Sequence, residues 1–278
     1  MVEVLHQNWH MQGFTTDKEN GYMYFSFTDS VVKVNMNSTM IAQVHVSGGH
    51  LGDIDYHEGK LYASFLGQPG AGKVWDDWSS FKIYVFNADD LALEKIIPLP
   101  ICDELKALRG TPEDIYGFNA IDGMTFGPDA DGNMKMFAAC ATIEGEKFSN
   151  QILLQLSLDG EFEKLCLIPT GNTVFGIQNL DHDDETGEFW FSTYAPNQPY
   201  MPRETLYCVA PDLKTVTKKF CFASPFGFEC LGGGKYRLSI QGGKNGTRTG
   251  YAYDADESLF TKGYTEAELT AYAKGELQ

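Results

Sequence analysis

Basic residues are scarce in this chain: 21 Lys and Arg stand against 38 Asp and Glu, a formal charge of -17. Affinity for phosphate grows with clustered cations, so this balance excludes nucleic acid as a partner and disfavours an anionic membrane surface. A sugar, a cation or a small neutral molecule fits the charge better. No apolar run approaches the roughly 20 residues that a membrane helix needs. The opening MVEVLHQNWHMQG shows neither the basic segment nor the apolar stretch of a signal peptide. Cysteine is sparse and scattered: Cys102, Cys140, Cys166, Cys208, Cys221 and Cys230 form no C-x-x-C pair and no metal-type spacing. Most of them sit in apolar stretches such as KMFAAC and LYCVA, where a free thiol packs as a small hydrophobe. A reducing compartment, the cytoplasm, is the expectation, with secretion requiring a leader that has been removed.

Familiar catalytic signatures are also missing. No G-x-S-x-G elbow and no H-E-x-x-H pair occurs, which removes the usual serine hydrolase and zinc protease readings. The stretch from Gly67 to Val74 nearly spells a phosphate-binding loop, but Val74 stands where that loop needs a hydroxyl for its metal. Asp129-Ala-Asp131-Gly-Asn133 begins like a calcium loop, but Cys140 occupies the position of the bidentate glutamate, so the segment reads as a hairpin turn.

What the sequence has instead is repetition. Gly-x-apolar-x-apolar-Ser recurs as Gly21-YMYF-Ser26, Gly59-KLYA-Ser64, Gly187-EFWF-Ser192 and Gly234-KYRL-Ser239, with a looser copy after Gly132. Each copy follows a polar turn and alternates like a strand held between neighbours. Written out, the copies organise five modules of four short strands, each about forty residues, the size of a propeller blade. The expected blades are 11–46, 50–99, 119–168, 174–222 and 225–260, within one domain. The fifth lacks a convincing fourth strand, which the N-terminal residues 1–6 can supply, closing the ring and removing its exposed edge. CDELKALRG, from Cys102, reads as a short surface helix between blades two and three. The tail, 265–277, reads as a helix with a Thr265/Glu268 capping box and an apolar stripe of Leu269, Tyr272, Ala273 and Leu277. The expected fold is therefore all-β: a five-bladed β-propeller of four-stranded antiparallel blades with a short C-terminal helix.

The first strands of the modules point to a site. Aligned on Phe14, Ile54, Met124, Leu180 and Phe228, they place Thr15, Asp55, Thr125, Asp181 and Glu229 one residue later. One residue earlier stand Gly13, Asp53, Gly123, Asn179 and Gly227. Alternation puts both sets on one face, the lining of a central channel that the glycines would keep open. Before them come Gln12, Gly52, Asp122, Gln178 and Phe226, with His50 further up in SGGHLGD. The second-to-third loops and the inter-blade connections are long and crowd this same rim, where functional residues concentrate over a rigid scaffold.

Three readings of the deeper ring stay open. Asp55, Asp181 and Glu229 fit a water-filled polar tunnel, a hard cation such as calcium or magnesium, or a catalytic carboxylate set. Asp53 and Asp122, nearer the rim, fit an acid and base pair flanking a sugar, or ordinary turn hydrogen bonding beside glycine. Trp75 and Trp78 in the longest insertion, and Tyr194 in module four, fit an aromatic sugar platform or self-anchored loops. His50, Gln12, Gln178 and Asn179 complete the expected ligand-binding set.

On these residues the five modules resemble a five-bladed propeller, similar in outline to the arabinanase-like glycosidases and to propeller lectins over residues 1–260. The glycosidase resemblance implies carboxylates on the inner strands of separate blades, to which Asp53, Asp122 and Glu229 correspond most nearly. Lectin propellers repeat their binding residues in every blade, whereas Gln12, Asp122 and Gln178 differ, so a single asymmetric site is expected. The reading is a monomeric propeller with one polar, acidic channel site for a carbohydrate-like molecule. It acts as a hydrolase or lyase, cation-dependent if the deeper ring holds a metal, or as a non-catalytic binding or protein-interaction module.

Overall fold

A computed structural model of the protein describes residues 1–67, 81–99, 103, 104, 107, 118–142, 150–170, 176–193, 204–222 and 226–277. Five four-stranded antiparallel sheets form a five-bladed β-propeller. Blade one comprises β2 (Met11–Asp17), β3 (Tyr22–Phe27), β4 (Ser30–Asn35) and β5 (Met40–His45), and blade two β6 (Gly49–His57), β7 (Lys60–Gly67), β8 (Phe81–Asn87) and β9 (Leu93–Pro98). Blade three comprises β10 (Phe118–Pro128), β11 (Met134–Thr142), β12 (Gln151–Leu156) and β13 (Phe162–Ile168), and blade four β14 (Ile177–His182), β15 (Phe189–Thr193), β16 (Leu206–Val209) and β17 (Val216–Phe220). In blade five, β18 (Phe228–Gly232), β19 (Lys235–Gly242) and β20 (Arg248–Asp256) are completed by β1 (Val2–Gln7), which pairs Val2 with Ala252 and Val4 with Gly250.

Burial falls from the axis outward. β2 and β15 are buried at every residue, whereas β5 and β17 have no buried residue. A strand stacked between two neighbouring blades needs apolar residues on both faces: the repeat's two apolar positions fill one, as with Met23 and Phe25 or Phe189 and Phe191, and the intervening Tyr24 and Trp190 fill the other. The shared geometry of the repeat starts at its glycine: Gly21, Gly59, Gly132, Gly187 and Gly234 all have φ between 69° and 83°, which a side chain rarely tolerates.

The repeated serine has a structural role. Ser26 Oγ donates to the Gly52 carbonyl at 2.7 Å and Ser64 Oγ to the Asp122 carbonyl at 2.5 Å, each reaching from a second strand to the inner strand of the next blade. Inner strands have a sheet neighbour on one side only, so their remaining carbonyls need such partners. In blade three the equivalent position is Ala139, one residue beyond Ala138, which pairs with Met124. Ala139 has no hydroxyl to give to blade four.

The C-terminal helix α1 spans Glu266–Ala273, shorter than expected, and carries the Thr265/Glu268 capping box. It buries Leu269 and Ala273 against blade five and sets Tyr272 edge-on to Tyr253. A 3-10 turn at Glu257–Thr261, which the sequence pattern did not reveal, feeds Phe260 into the aromatic cluster around Trp190. Of the expected surface helix after Cys102 only residues 103, 104 and 107 are described, all helical.

Candidate functional site

Four inner strands carry a one-residue bulge at the same height. In β2, Met11 pairs with Phe27 and Gly13 with Ser26, leaving Gln12 extra. In β14, Ile177 pairs with Thr193 and Asn179 with Ser192, leaving Gln178 extra. β6 and β10 slip by one residue between Leu51 and Ile54 and between Ile121 and Met124. A bulge re-aims side chains and ends regular alternation. It converts this level of the axis into a place where side chains cross between blades.

Asp53 makes the main crossing. Its Oδ2 accepts from the backbone amides of Leu180 at 3.0 Å and Met124 at 3.3 Å, and its Oδ1 accepts from Asn179 Nδ2 at 3.0 Å. Asn179 Nδ2 also donates to the Gln12 carbonyl at 2.6 Å, and its Oδ1 accepts from Ser192 Oγ at 3.0 Å. The glycines do not hold a tunnel open as the sequence suggested. A Cβ on Gly13 would run into Asp53 Oδ1 and stand 2.9 Å from Asp53 Cα, so the missing side chain makes room for the crossing carboxylate. The axis is filled here by an Asp53–Asn179 plug that ties four blades together. Burial pushes the Asp53 carboxyl well above the ordinary range, outweighing its three N–H donors.

On the long-loop side of the plug, Asp122 sits over Gly52, whose absent side chain leaves space for Asp122 Oδ1. The residue is only partly buried, yet the surrounding protein desolvates its carboxyl and raises its pKa to about 8, against a Gln178 hydrogen bond that favours the charged form. Gln178 and Gln12 are themselves buried, 3% and 5% exposed, and Gln12 Nε2 donates to Thr28 Oγ1 at 3.1 Å. Of the expected rim set, Asp122 and His50 therefore keep exposed surface. Burial, with a smaller contribution from His10, lowers the His50 pKa to about 4 and keeps its imidazole neutral. His10, which the sequence pattern did not single out, pairs its Nδ1 with Gln241 Nε2 at 3.0 Å beside the same rim.

Asp53 and Asp122 thus do not share one open space: Asp53 is buried in the plug on the vestibule side, whereas Asp122 faces the rim. Trp75, Trp78 and Tyr194 lie outside the described residues, as do most of the long loops.

On the short-turn side lies a vestibule of about 500 Å³. Its inner end is the deeper ring, whose members clasp neighbouring blades. Asp55 accepts from Thr15 Oγ1 at 3.1 Å in blade one, and from Thr125 Oγ1 at 2.9 Å and the Phe126 amide at 3.1 Å in blade three. Asp181 accepts from the Cys230 amide and lies 3.3 Å from Thr125 Oγ1. One hydroxyl has one proton, so both Thr125 contacts are hydrogen bonds only when one of the two carboxyls is protonated. Burial raises both carboxyls, and Asp55 raises Asp181 further. Glu229, also raised by burial, accepts from Thr16 Oγ1 at 2.7 Å and lies 3.7 Å from Arg237.

Among the described residues no group of three or more His, Cys, Asp or Glu side chains is placed to hold a metal ion. The oxygens of Asp55, Asp181 and Glu229 meet hydroxyls and backbone amides of adjoining blades instead.

No protein-family profile matches this sequence, and no curated protein matches it. Similarity appears at the level of fold. An exo-β-1,3-galactanase from Phanerochaete chrysosporium with bound β-1,3-galactotriose is 7% identical with a TM-score of 0.58, covering 92% of this chain and 65% of its own. A glutaminyl cyclase from Myxococcus xanthus is 11% identical with a TM-score of 0.54, covering 92% of this chain and 96% of its own. A nidogen/laminin complex gives 10% identity and a TM-score of 0.52, covering 90% and 77%. Described helices include none long and apolar enough to cross a membrane.

Proposed function

We propose that this chain is a propeller hydrolase or lyase acting on a small, polar, carbohydrate-like molecule at the long-loop mouth of the axis, with Asp122 as proton donor. One observation carries the reading: on the rim side of the plug, Asp122 is a partly exposed residue whose desolvated carboxyl has its pKa raised to about 8, so it holds its proton at neutral pH. A general acid must be protonated yet able to release the proton near working pH. Gln178 orients the carboxyl, neutral His50 offers a second polar contact, and the Asp53–Asn179 plug forms a rigid floor. Among proteins of similar fold, the galactanase and the glutaminyl cyclase are enzymes by name. At such low identity they support the capacity of the scaffold and not a particular substrate.

A second reading, binding without turnover, draws on one observation. Two-carboxylate sugar hydrolysis needs a second free carboxylate, and Asp53 is fully engaged in the plug. Thermal-shift screening of a sugar panel, followed by turnover assays on the hits, separates the two. In the catalytic reading, Asp122→Asn lowers kcat by about 10²–10⁴-fold while ligand still shifts the melting temperature, and wild-type activity declines as pH rises past about 8. Hits that bind but never turn over leave the binding module, and activity that survives Asp122→Asn removes Asp122 from the chemistry.

A further inference from the structure

The vestibule on the short-turn face is a second compartment, separated from the rim by the Asp53–Asn179 plug and unused by the proposed chemistry at Asp122. Its volume of about 500 Å³ falls within the range of small-molecule sites. Its wall combines three properties. Carboxylates enter from four blades, with Glu19, Asp55, Glu58, Asp181 and Glu229 among the lining residues, whereas Lys18 is the lining lysine or arginine. Aromatic faces stand beside them: His57 stacks on Phe126 at 4.4 Å between ring centres, 14° from parallel, next to Tyr56.

The third property concerns His182, which also lines the vestibule and is 8% exposed. Its Nδ1 lies 3.0 Å from Asp184 Oδ1, the geometry of an N–H donating to a carboxylate. That tautomer leaves Nε2 as an acceptor, and Nε2 is buried with no hydrogen-bond partner. A buried acceptor without a donor is destabilising unless something supplies the donor.

We propose that this vestibule binds a small organic cation bearing a primary ammonium group. Such a group brings several N–H donors, one able to meet an unpaired acceptor such as His182 Nε2 and others able to reach carboxylates on different blades. Its diffuse, weakly directional attraction suits the His57, Phe126 and Tyr56 faces. A bare metal ion needs ligands converging within about 2.6 Å, which the spread-out carboxylates do not provide. Burial favours the neutral forms of Asp55, Asp181 and Glu229, and Arg237 stands beside Glu229, so the negative field that concentrates a cation comes from the outer carboxylates of the same wall, Glu19, Glu58 and Asp184.

The experiment is calorimetric titration of the full chain with putrescine, with 1,4-butanediol as the uncharged analogue of equal length and magnesium chloride at matched ionic strength. Putrescine should bind saturably with a dissociation constant below about 1 mM, and the diol and magnesium should not. Glu19→Gln/Glu58→Gln alters two exposed carboxylates at the mouth and should weaken putrescine roughly tenfold without affecting folding. His182→Phe keeps an aromatic ring against Phe189, removes the acceptor, and should weaken it as well. Asp122→Asn, on the far side of the plug, should leave putrescine binding unchanged, which separates this site from the rim. No saturable heat up to about 10 mM putrescine, equal binding of the diol, or equal binding of magnesium would overturn the proposal.

Discussion

Asp53 shows how one side chain can set the character of the axis. Three buried donors from blades three and four converge on it, so its replacement by Ala would leave the Met124 and Leu180 amides and Asn179 Nδ2 without that acceptor. At about 1–3 kcal/mol for a buried group left unpaired, Asp53→Ala is expected to destabilise the fold by several kcal/mol, read as a lower midpoint in urea unfolding. Gly13→Ala should destabilise through a different route, about 1–3 kcal/mol of overpacking, because its Cβ meets Asp53 side chain and backbone together. Near-wild-type midpoints for both variants would mean that the plug contributes no stability. Residue identity was enough to mark Asp53, Asp122 and the deeper ring as unusual. It was silent on their division of labour, because two aspartates one blade apart look equivalent until their partners are known.

At the scale of elements, closure of the ring rests on β1. It completes blade five and buries Val2 and Val4 with Met11, Phe14 and Phe27. Loss of two buried valines alone is worth about 3–6 kcal/mol, and deletion also exposes the edge of β20. Removing residues 1–7 is expected to lower the melting temperature by about 10 °C or more and to promote association in gel filtration. Deleting 265–277, which removes α1 from the outer surface of blade five, should have a smaller effect. The reverse ranking would show that closure by β1 does not dominate. Turn glycines and alternation located nearly every strand in advance, and the missing fourth strand of blade five pointed to this one. The bulges escaped because strict alternation assumes one residue per step, and a single extra residue at Gln12 or Gln178 leaves no mark on apolar spacing.

Over the whole molecule, two populations of carboxyl groups set opposite responses to pH. Asp53, Asp55, Asp122, Asp181 and Glu229 have raised values, so the folded state holds protons that the unfolded chain releases above about pH 4. Their contribution is fully present below the unfolded values and is lost as pH rises through the folded ones, about 8 in the case of Asp122. Asp129, Glu163, Asp212 and Glu268 on the surface have lowered values, chiefly from hydrogen bonds, and their contribution is lost as pH falls below about 4. The melting temperature is therefore expected to peak at mildly acidic pH, about 5, and to decline toward about pH 8.5. Added salt should reduce the decline in part by screening a net charge of -17. A melting temperature flat from about pH 5 to about pH 8 would mean that the axial acids ionise freely in the folded protein.

The sequence by itself determined the number of blades, their strand order, the closing strand and the acidic character of the axis. Those properties repeat with local periods of two and about forty residues, and local periodicity is written in the order of residues. Tertiary structure alone decided that the axis is divided. The partition depends on Asp53 meeting donors from two other blades, on the glycine gap that admits it, and on bulges whose consequences lie far away in the chain. Whether a polar residue becomes a clasp, a floor or an acid at the rim depends on which neighbours remain to satisfy it. Here that distinction left Asp122 at the rim and a separate acidic vestibule behind the plug.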